Sequence, residues 1–296
     1  MTKNAMVTIC GRPNVGKSTL TNALVGEKIA IVSPKPQTTR NRITGIVNIG
    51  ETQLVLLDTP GFIKPRNKLG DYMVNAVNES ITDVDCIVFM AEPKDEPGPG
   101  ETALFEKLAA SGAPVILAIN KTDTVADKEK LLAVIAAYSN AFSFEAVIPI
   151  SARTGDGLDI LTDEIVKFAV EGPHFFPDDM ITDQPERQIC AELVREKLLR
   201  CLEREVPHGT AVEITKFSER EDGIVDIDAT IYTEKASHKG IIIGKRGTML
   251  KKIGELARED MEAFLGTKVF LQTWVKVKEN WRESEMMIKN FGYRND

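Results

Sequence analysis

Eight residues near the start, Gly11-Arg12-Pro13-Asn14-Val15-Gly16-Lys17-Ser18, constrain this chain more than any other stretch. Glycine, four residues and Gly-Lys-Ser make a loop whose successive backbone N–H groups turn inward around phosphate oxygens. The lysine charge then meets the outer phosphates, and the serine hydroxyl reaches Mg²⁺. Such a loop needs a strand before it and a helix after it. Ala5 to Cys10 is an apolar run of buried-strand type, and Lys17 to Val25 carries Leu20, Ala23 and Leu24 on one side, which predicts a helix. The helix N-terminus, with Thr19 in its first turn, then turns its partial positive charge toward the phosphates.

The order of later segments fits the same chemistry. Ser33 to Arg40 is polar and holds two prolines, so it is neither a central strand nor a helix interior. A threonine in that loop can complete a Mg²⁺ shell only while a γ-phosphate is present. Thr38 and Thr39 are the candidates, and the residues alone do not separate them; Thr39, next to Arg40, is favoured by analogy with related loops. Strands predicted over Ile43 to Ile49 and Thr52 to Leu57 deliver Asp58-Thr59-Pro60-Gly61. A carboxylate there can hold a water on Mg²⁺, and the Gly61 N–H can meet the γ-phosphate and move the following segment, Phe62 to Leu69.

Helices are predicted over Lys68 to Thr82, Gly98 to Ser111, Asp127 to Asn140 and Gly157 to Val170, with strands over Asp85 to Met90, Pro114 to Ile119 and Glu145 to Ile150. The strand before Asn120-Lys121-Thr122-Asp123 places a carboxylate able to accept from N1–H and the exocyclic amine of guanine. Rejection of adenine follows from buried polar groups left unpaired. Ser151-Ala152 can bring backbone N–H groups to the guanine carbonyl.

These segments in this order resemble a small GTPase domain, an α/β three-layer fold, over residues 1–172. The resemblance implies GTP and GDP as ligands, with Gly11 to Ser18 on the phosphates, and Ser18, Thr39 and Asp58 around Mg²⁺. Asn120, Lys121, Asp123, Ser151 and Ala152 are then assigned to guanine, and Lys17, Thr39, Gly61 and Asn14 to the hydrolytic step. One position departs from the Ras-like pattern: Phe62 stands where those proteins carry a water-positioning glutamine. In similar GTPases with Asn at the position of Asn14 and a hydrophobic residue here, a potassium ion supplies positive charge.

The chain has 296 residues, which favours two domains. Residues 171–186 contain three prolines and neither a helical nor a strand period, so 173–186 reads as a linker and 187–296 as the second domain. Charge divides there too: residues 1–186 hold 17 Lys+Arg against 25 Asp+Glu, and residues 187–296 hold 20 against 19. The second part is the one suited to a polyanion. Within it, residues 235–252 carry Lys235, Lys239, Lys245, Arg246, Lys251 and Lys252 and no carboxylate. The four cysteines lie far apart without a Cys-x-x-Cys pair, which predicts reduced thiols and a cytoplasmic protein. The longest apolar runs are too short to span a bilayer.

A long amphipathic helix is predicted from Arg187 to Glu205, ended by Pro207, then alternating strands over Thr210 to Phe217 and Ile224 to Thr233. Gly240 to Ile253 follows, with Gly244-Lys245-Arg246-Gly247 between two helices, then a strand over Thr267 to Val277 and a helix over Trp281 to Tyr293. Two glycines three apart let the backbone approach a nucleic-acid phosphate while Lys245 and Arg246 supply charge. The order resembles a type II KH domain. That resemblance assigns single-stranded RNA to Lys239, Gly240, Ile243, Gly244, Lys245, Arg246, Gly247, Lys251 and Lys252.

One GTPase domain with Gln37-Thr38-Thr39-Arg40-Asn41-Arg42, followed by a KH domain, resembles the Era-type family of bacterial GTPases over the whole chain. The resemblance implies a monomeric GTP-hydrolysing switch that binds the 3′ end of small-subunit ribosomal RNA and assists assembly of the small ribosomal subunit. It also implies loose peripheral association with the inner face of the membrane, for which the chain shows neither a lipidation signal nor a strongly basic amphipathic helix. The alternatives are an RNA-binding assembly factor or scaffold whose GTPase only times release, and a switch tied to cell-cycle or membrane partners.

Overall fold

The computed structural model describes residues 1–62, 64–94 and 96–293; Ile63 of the second switch segment and the last three residues of the C-terminal domain lie outside the described residues. Two compact units result. One comprises Met1–Ala30, Thr39–Pro65 and Gly70–Asp183; the other comprises Ile31–Thr38, Arg66–Leu69 and the chain from Gln184 onward.

The first unit is built on a seven-stranded sheet. Its strands are β1 (Lys3–Gly11), β2 (Ile43–Ile49), β3 (Thr52–Asp58), β4 (Cys86–Ala91), β5 (Val115–Ile119), β6 (Ala146–Pro149) and β7 (Val170–Glu171). The order is β2-β3-β1-β4-β5-β6, with β7 beside β1. β2 is antiparallel to β3, whereas β1, β3, β4, β5 and β6 run parallel. Parallel strands are buried on both faces, and β4 shows why its run is apolar throughout. Cys86, Val88 and Met90 join one core cluster with Leu20 of α1 (Lys17–Val25) and Leu161 and Ile165 of α5 (Leu158–Val166). Ile87, Phe89 and Ala91 join the other cluster, with Leu104 and Leu108 of α3 (Pro99–Ser111) and Val134 and Tyr138 of α4 (Lys128–Ala141). The parallel strands therefore release their following loops at one edge of the sheet, where ligands of such folds sit. α2 (Lys68–Ser80) completes the helices of this half.

Two features differ from the sequence reading. α5 stops at Val166, before the predicted Val170, because Val170 and Glu171 pair antiparallel with Asn4 and Lys3 along the part of β1 that precedes its pairing with β4. Residues 173–182 also behave as more than a tether. Asn4 Nδ2 donates to Pro173 O, Gln53 exchanges hydrogen bonds with both backbone groups of Phe176, and the Ile46 N–H donates to Ile181 O. The segment is thus strapped along the β2–β3 hairpin.

The second unit carries α6 (Glu186–Cys201), β8 (Thr210–Glu219), β9 (Val225–Thr233), α7 (Ala236–Ile243), α8 (Thr248–Leu265), β10 (Val269–Val277) and α9 (Glu285–Asn290). The sheet order is β10-β9-β8, antiparallel between β8 and β9 and parallel between β9 and β10. Val225, Ile227, Ala229 and Ile231 alternate into a core shared with Leu193, Val194 and Leu198 of α6, Ile242 of α7, and Ile253 and Ala257 of α8.

α6 ends at Cys201 rather than at Glu205. Leu202 is extended and buried, and Arg204 sits at φ 54°, where an α-helix cannot continue; Pro207 only begins a separate turn. Nor is the helix simply amphipathic, since Arg195, Glu196 and Lys197 are buried along with its apolar residues. The predicted helix over Trp281 to Tyr293 is split. A turn at Trp281–Glu283 precedes α9, whose N-cap Ser284 accepts from the Met287 N–H. The fully buried Trp281 ring donates from its indole N–H to Gly209 O at 2.9 Å and packs against Phe291 and Tyr293, which bends the chain there.

Candidate nucleotide and nucleic-acid sites

The phosphate loop joins β1 to α1. Gly11 sits at φ 142°, and a Cβ there would lie 2.4 Å from Met90 O. Lys17 Nζ donates to Gly11 O at 3.3 Å and Arg12 O at 3.0 Å, so the lysine spans the loop it belongs to. Burial lowers its pKa, and Asp58 opposes that shift. Pro13 packs so closely on Gly61 that a Cβ on Gly61 would be 2.7 Å from its atoms, which brings the Asp58-Thr59-Pro60-Gly61 turn against the loop.

Ser18 joins the three groups assigned to Mg²⁺. Its Oγ donates to Asp58 Oδ2 at 2.6 Å and lies 2.8 Å from Thr39 Oγ1. Thr38 Oγ1 instead donates to Lys35 O at 2.6 Å. Asp58 is fully buried, and its Oδ1 has no hydrogen-bond partner. Burial pushes this carboxyl up to about 6, against the pull of Lys17 and Ser18. Two hydroxyls and a carboxylate with an orphaned buried oxygen fit a hard divalent cation.

Other predicted residues are placed differently. Thr59 Oγ1 donates to Ile9 O, and Pro60 is buried, so both shape the turn. The Phe62 N–H donates to Gly11 O, while its ring packs into the α3 side of the core with Lys107 Nζ 5.2 Å from the ring centre. Asn14 is exposed at φ 66°.

The residues assigned to guanine form a linked set. Asn120 Nδ2 donates to Val15 O at 2.7 Å, and its Oδ1 accepts from the Ala152 N–H at 2.9 Å, so one amide ties β5, β6 and the phosphate loop. Lys121 Nζ reaches Asn14 O at 2.7 Å and pairs with Glu92. Asp123 Oδ1 accepts from Ser151 Oγ at 2.7 Å, and Oδ2 pairs with Arg153. The Ser151 hydrogen bond, aided by Arg153, holds the Asp123 carboxyl below its usual range. Glu92 and Arg153 escaped the sequence reading. Arg153 directly follows Ser151-Ala152 and had a local signal; Glu92, 29 positions from Lys121, had none.

In the second unit the turn between α7 and α8 holds Gly244 at φ 73°, with a Cβ there 2.7 Å from Met249 Cβ. Arg246 and Gly247 are also at positive φ; nothing lies within 4 Å of a Cβ on Gly247, whose N–H donates to Gly244 O at 3.1 Å. Lys245, Arg246, Lys251 and Lys252 are exposed on the turn and the first turns of α8; Gly240 is exposed, and Lys239 is half-buried on α7. Ile243 packs against the core, while Ile241, which the sequence reading passed over, is 50% exposed.

A family model described as 50S ribosome-binding GTPase matches residues 6–121, and a KH domain model matches residues 205–282. GTPase Era of Ruminiclostridium cellulolyticum is 54% identical over 292 residues, 99% of this chain and 98% of that one. The chain belongs to the GTPase Era family. GTPase Era of Clostridioides difficile is 52% identical over 294 residues, 99% of each chain. The crystal structure of a single-residue variant of Aquifex aeolicus Era bound to GDP.AlF4- matches with TM-score 0.95 at 39% identity, covering 99% of this chain and 100% of that one. Era in complex with MgGDPNP and nucleotides 1506–1542 of 16S ribosomal RNA matches with TM-score 0.95 at 38% identity and full coverage of both chains. The Era relatives thus extend across both units, which the two family models match separately.

Proposed function

We propose that this chain binds GTP, hydrolyses it with Mg²⁺, and binds the 3′ end of small-subunit ribosomal RNA to assist assembly of that subunit. The Ser18–Thr39–Asp58 cluster beside the phosphate loop carries the first part. Residues 1–172 form the GTP-hydrolysing domain and 187–296 the RNA-binding one. Lys17 neutralises the outer phosphates, the Gly61 N–H meets the γ-phosphate, and Asp123 reads guanine with Asn120, Ser151 and Ala152 around it. Ser18, Thr39 and Asp58 would hold Mg²⁺, which would supply positive charge to the phosphates.

The Phe62 ring is committed to the core, so no side chain at that position orients water, and unaided turnover is slow. Asn14 would then help to hold a potassium ion, which would supply positive charge to the reaction. The RNA backbone lies against Gly244 to Gly247, with Lys245, Arg246, Lys251 and Lys252 as its countercharges. The related Era complex with MgGDPNP and 16S nucleotides 1506–1542 supports both ligands. Among the described residues no helix is long and apolar enough to cross a membrane. On this reading the protein is a monomer in the cytoplasm that also associates peripherally with the inner face of the cell membrane.

The test is GTP turnover in potassium and in sodium buffer, with and without an oligonucleotide of the small-subunit rRNA 3′ end. Mg²⁺-dependent turnover, faster in potassium, and RNA binding lost on Lys245→Asp/Arg246→Asp are expected. RNA binding unchanged in that variant overturns the groove assignment, and equal turnover in both salts removes the potassium ion.

A further inference from the structure

Glu92 is a carboxylate that neither the phosphate chemistry nor the guanine contacts use, and the fold sets it beside a residue assigned to guanine. Ala91 and Ile119 are partners in the parallel pairing of β4 with β5, and the Asn120 N–H donates to Ala91 O at 2.8 Å. The two chains therefore leave the sheet side by side, Glu92 directly after β4 and Lys121 one residue beyond Asn120. Both lie in the first unit. Lys94 follows in a tight turn, its N–H donating to Glu92 O at 2.8 Å.

The carboxylate is divided between two lysines. Oε1 accepts from Lys121 Nζ, and Oε2 pairs with Lys94 Nζ at 2.9 Å. Burial raises the Glu92 pKa, but the hydrogen bonds from Lys121 and Lys94 outweigh it and hold the carboxyl below its usual range, so it is an anion at neutral pH. Lys121 Nζ also donates to Asn14 O at 2.7 Å, so the ammonium is clamped between a carboxylate and a carbonyl of the phosphate loop. Lys121 itself stands at φ 67°, at the head of the turn Thr122–Thr124 that carries Asp123. A lysine stem is long and flexible, and one required along the face of a ring must be stretched and ordered when the base arrives. Fixing its tip beforehand removes that cost from binding. Lys94 is exposed and takes the carboxylate oxygen that Lys121 leaves.

We propose that Glu92 is a positioning residue for guanine nucleotides: its carboxylate holds the Lys121 ammonium against Asn14 O, so that the lysine stem is laid out before the base binds. This rests on the assignment of Lys121 to guanine in the function proposed above. Glu92 acts through Lys121, so its loss shows as faster release of GDP. The fold is not weakened, because an ion pair of partly exposed side chains contributes little to stability.

The experiment uses the full chain and compares wild type with Glu92→Gln, Glu92→Asp, Lys121→Ala, the double variant Glu92→Gln/Lys121→Ala, and Lys94→Met. The release rate of a fluorescent GDP analogue, KM and kcat for GTP, and the midpoint of urea unfolding are measured for each. Glu92→Gln is expected to speed GDP release about tenfold and to raise KM for GTP by about as much, with a smaller change in kcat and an unchanged urea midpoint. Glu92→Asp, which keeps the charge on a shorter arm, should fall between it and wild type. The double variant should release GDP no faster than Lys121→Ala, since Glu92 then has nothing to hold. Lys94→Met should release GDP at the wild-type rate. Losses that multiply in the double variant overturn the proposal. So does faster release that comes with a lower urea midpoint and no rescue in Glu92→Asp, which marks a role in folding alone. Wild-type release in Glu92→Gln beside fast release in Lys121→Ala overturns the proposal and leaves the guanine assignment standing. Wild-type release in both refutes that assignment, and the proposal falls with it.

Discussion

Adding one methyl group at Gly16 strikes the phosphate loop and the base-selecting motif together. Gly16 caps α1 at φ 105°, and a Cβ there would stand 2.2 Å from Asn120 Nδ2. No real contact is that short, so Asn120 must move. Asn120 is 3% exposed, and its amide joins Val15 O to the Ala152 N–H. Forcing a Cβ into a positive-φ conformation costs about 1–2 kcal/mol, partly offset by the stiffer unfolded chain. Breaking two buried hydrogen bonds adds about 2 kcal/mol. Gly16→Ala should therefore lower stability by about 3 kcal/mol. Gly26 supplies the control. It ends the same helix at φ 83° with nothing within 4 Å of its Cβ, so Gly26→Ala carries the backbone penalty alone, about 1 kcal/mol. Urea unfolding of both variants, with GDP titration of the folded proteins, measures the difference. Equal destabilisation in the two, or GDP affinity at wild-type level in Gly16→Ala, refutes the claim that Gly16 and Asn120 are locked together.

Asp58 titrates near 6 in the folded protein against an ordinary 3.8, so the folded state holds the extra proton in that window. Stability of the free protein should fall as pH rises through it, while Mg²⁺-dependent GTP binding should weaken as pH drops below about 6; Asp58→Asn should flatten both profiles in titrations from pH 5 to 8. Lys17→Ala should abolish GTP binding in filter assays while RNA binding by the full chain persists. Lys245→Asp with Arg246→Asp should remove most RNA binding and shrink the salt slope of any residual binding by about 2, read from affinity against salt concentration. Trp281→Ala should cost about 3–5 kcal/mol in chemical denaturation, because a fully buried ring and its bond to Gly209 O are lost together.

The nucleotide motifs were legible because each rests on a backbone demand that few residues meet. Gly11, Gly16 and Gly61 lie where a Cβ would collide with Met90, Asn120 and Pro13, and such needs leave a mark in sequence. The parallel strands were legible from their apolar runs for the same reason, burial on both faces. What escaped was decided at a distance. Only the loop's path places Thr39 at Ser18 and turns Thr38 back to Lys35 O. α6 reads as amphipathic because charged residues ordinarily face solvent; Lys197 is buried because Glu196 and Asp260, the latter 63 positions on, both pair with it. Two-residue β7 is too short for any period to show. The strap over 173–182 lacks a period because it gains its hydrogen bonds from β2 and β3 side chains and backbone rather than from a repeat of its own.

The most direct test of the account is Mg²⁺-dependent GTP hydrolysis by Thr39→Val beside Thr38→Val in the full chain. Adjacent threonines of like chemistry differ here only in where the loop aims them, Thr39 at Ser18 Oγ and Thr38 at Lys35 O. The account predicts that Thr39→Val loses most turnover and its response to Mg²⁺, while Thr38→Val stays near wild type. Turnover lost in Thr38→Val and kept in Thr39→Val would contradict it.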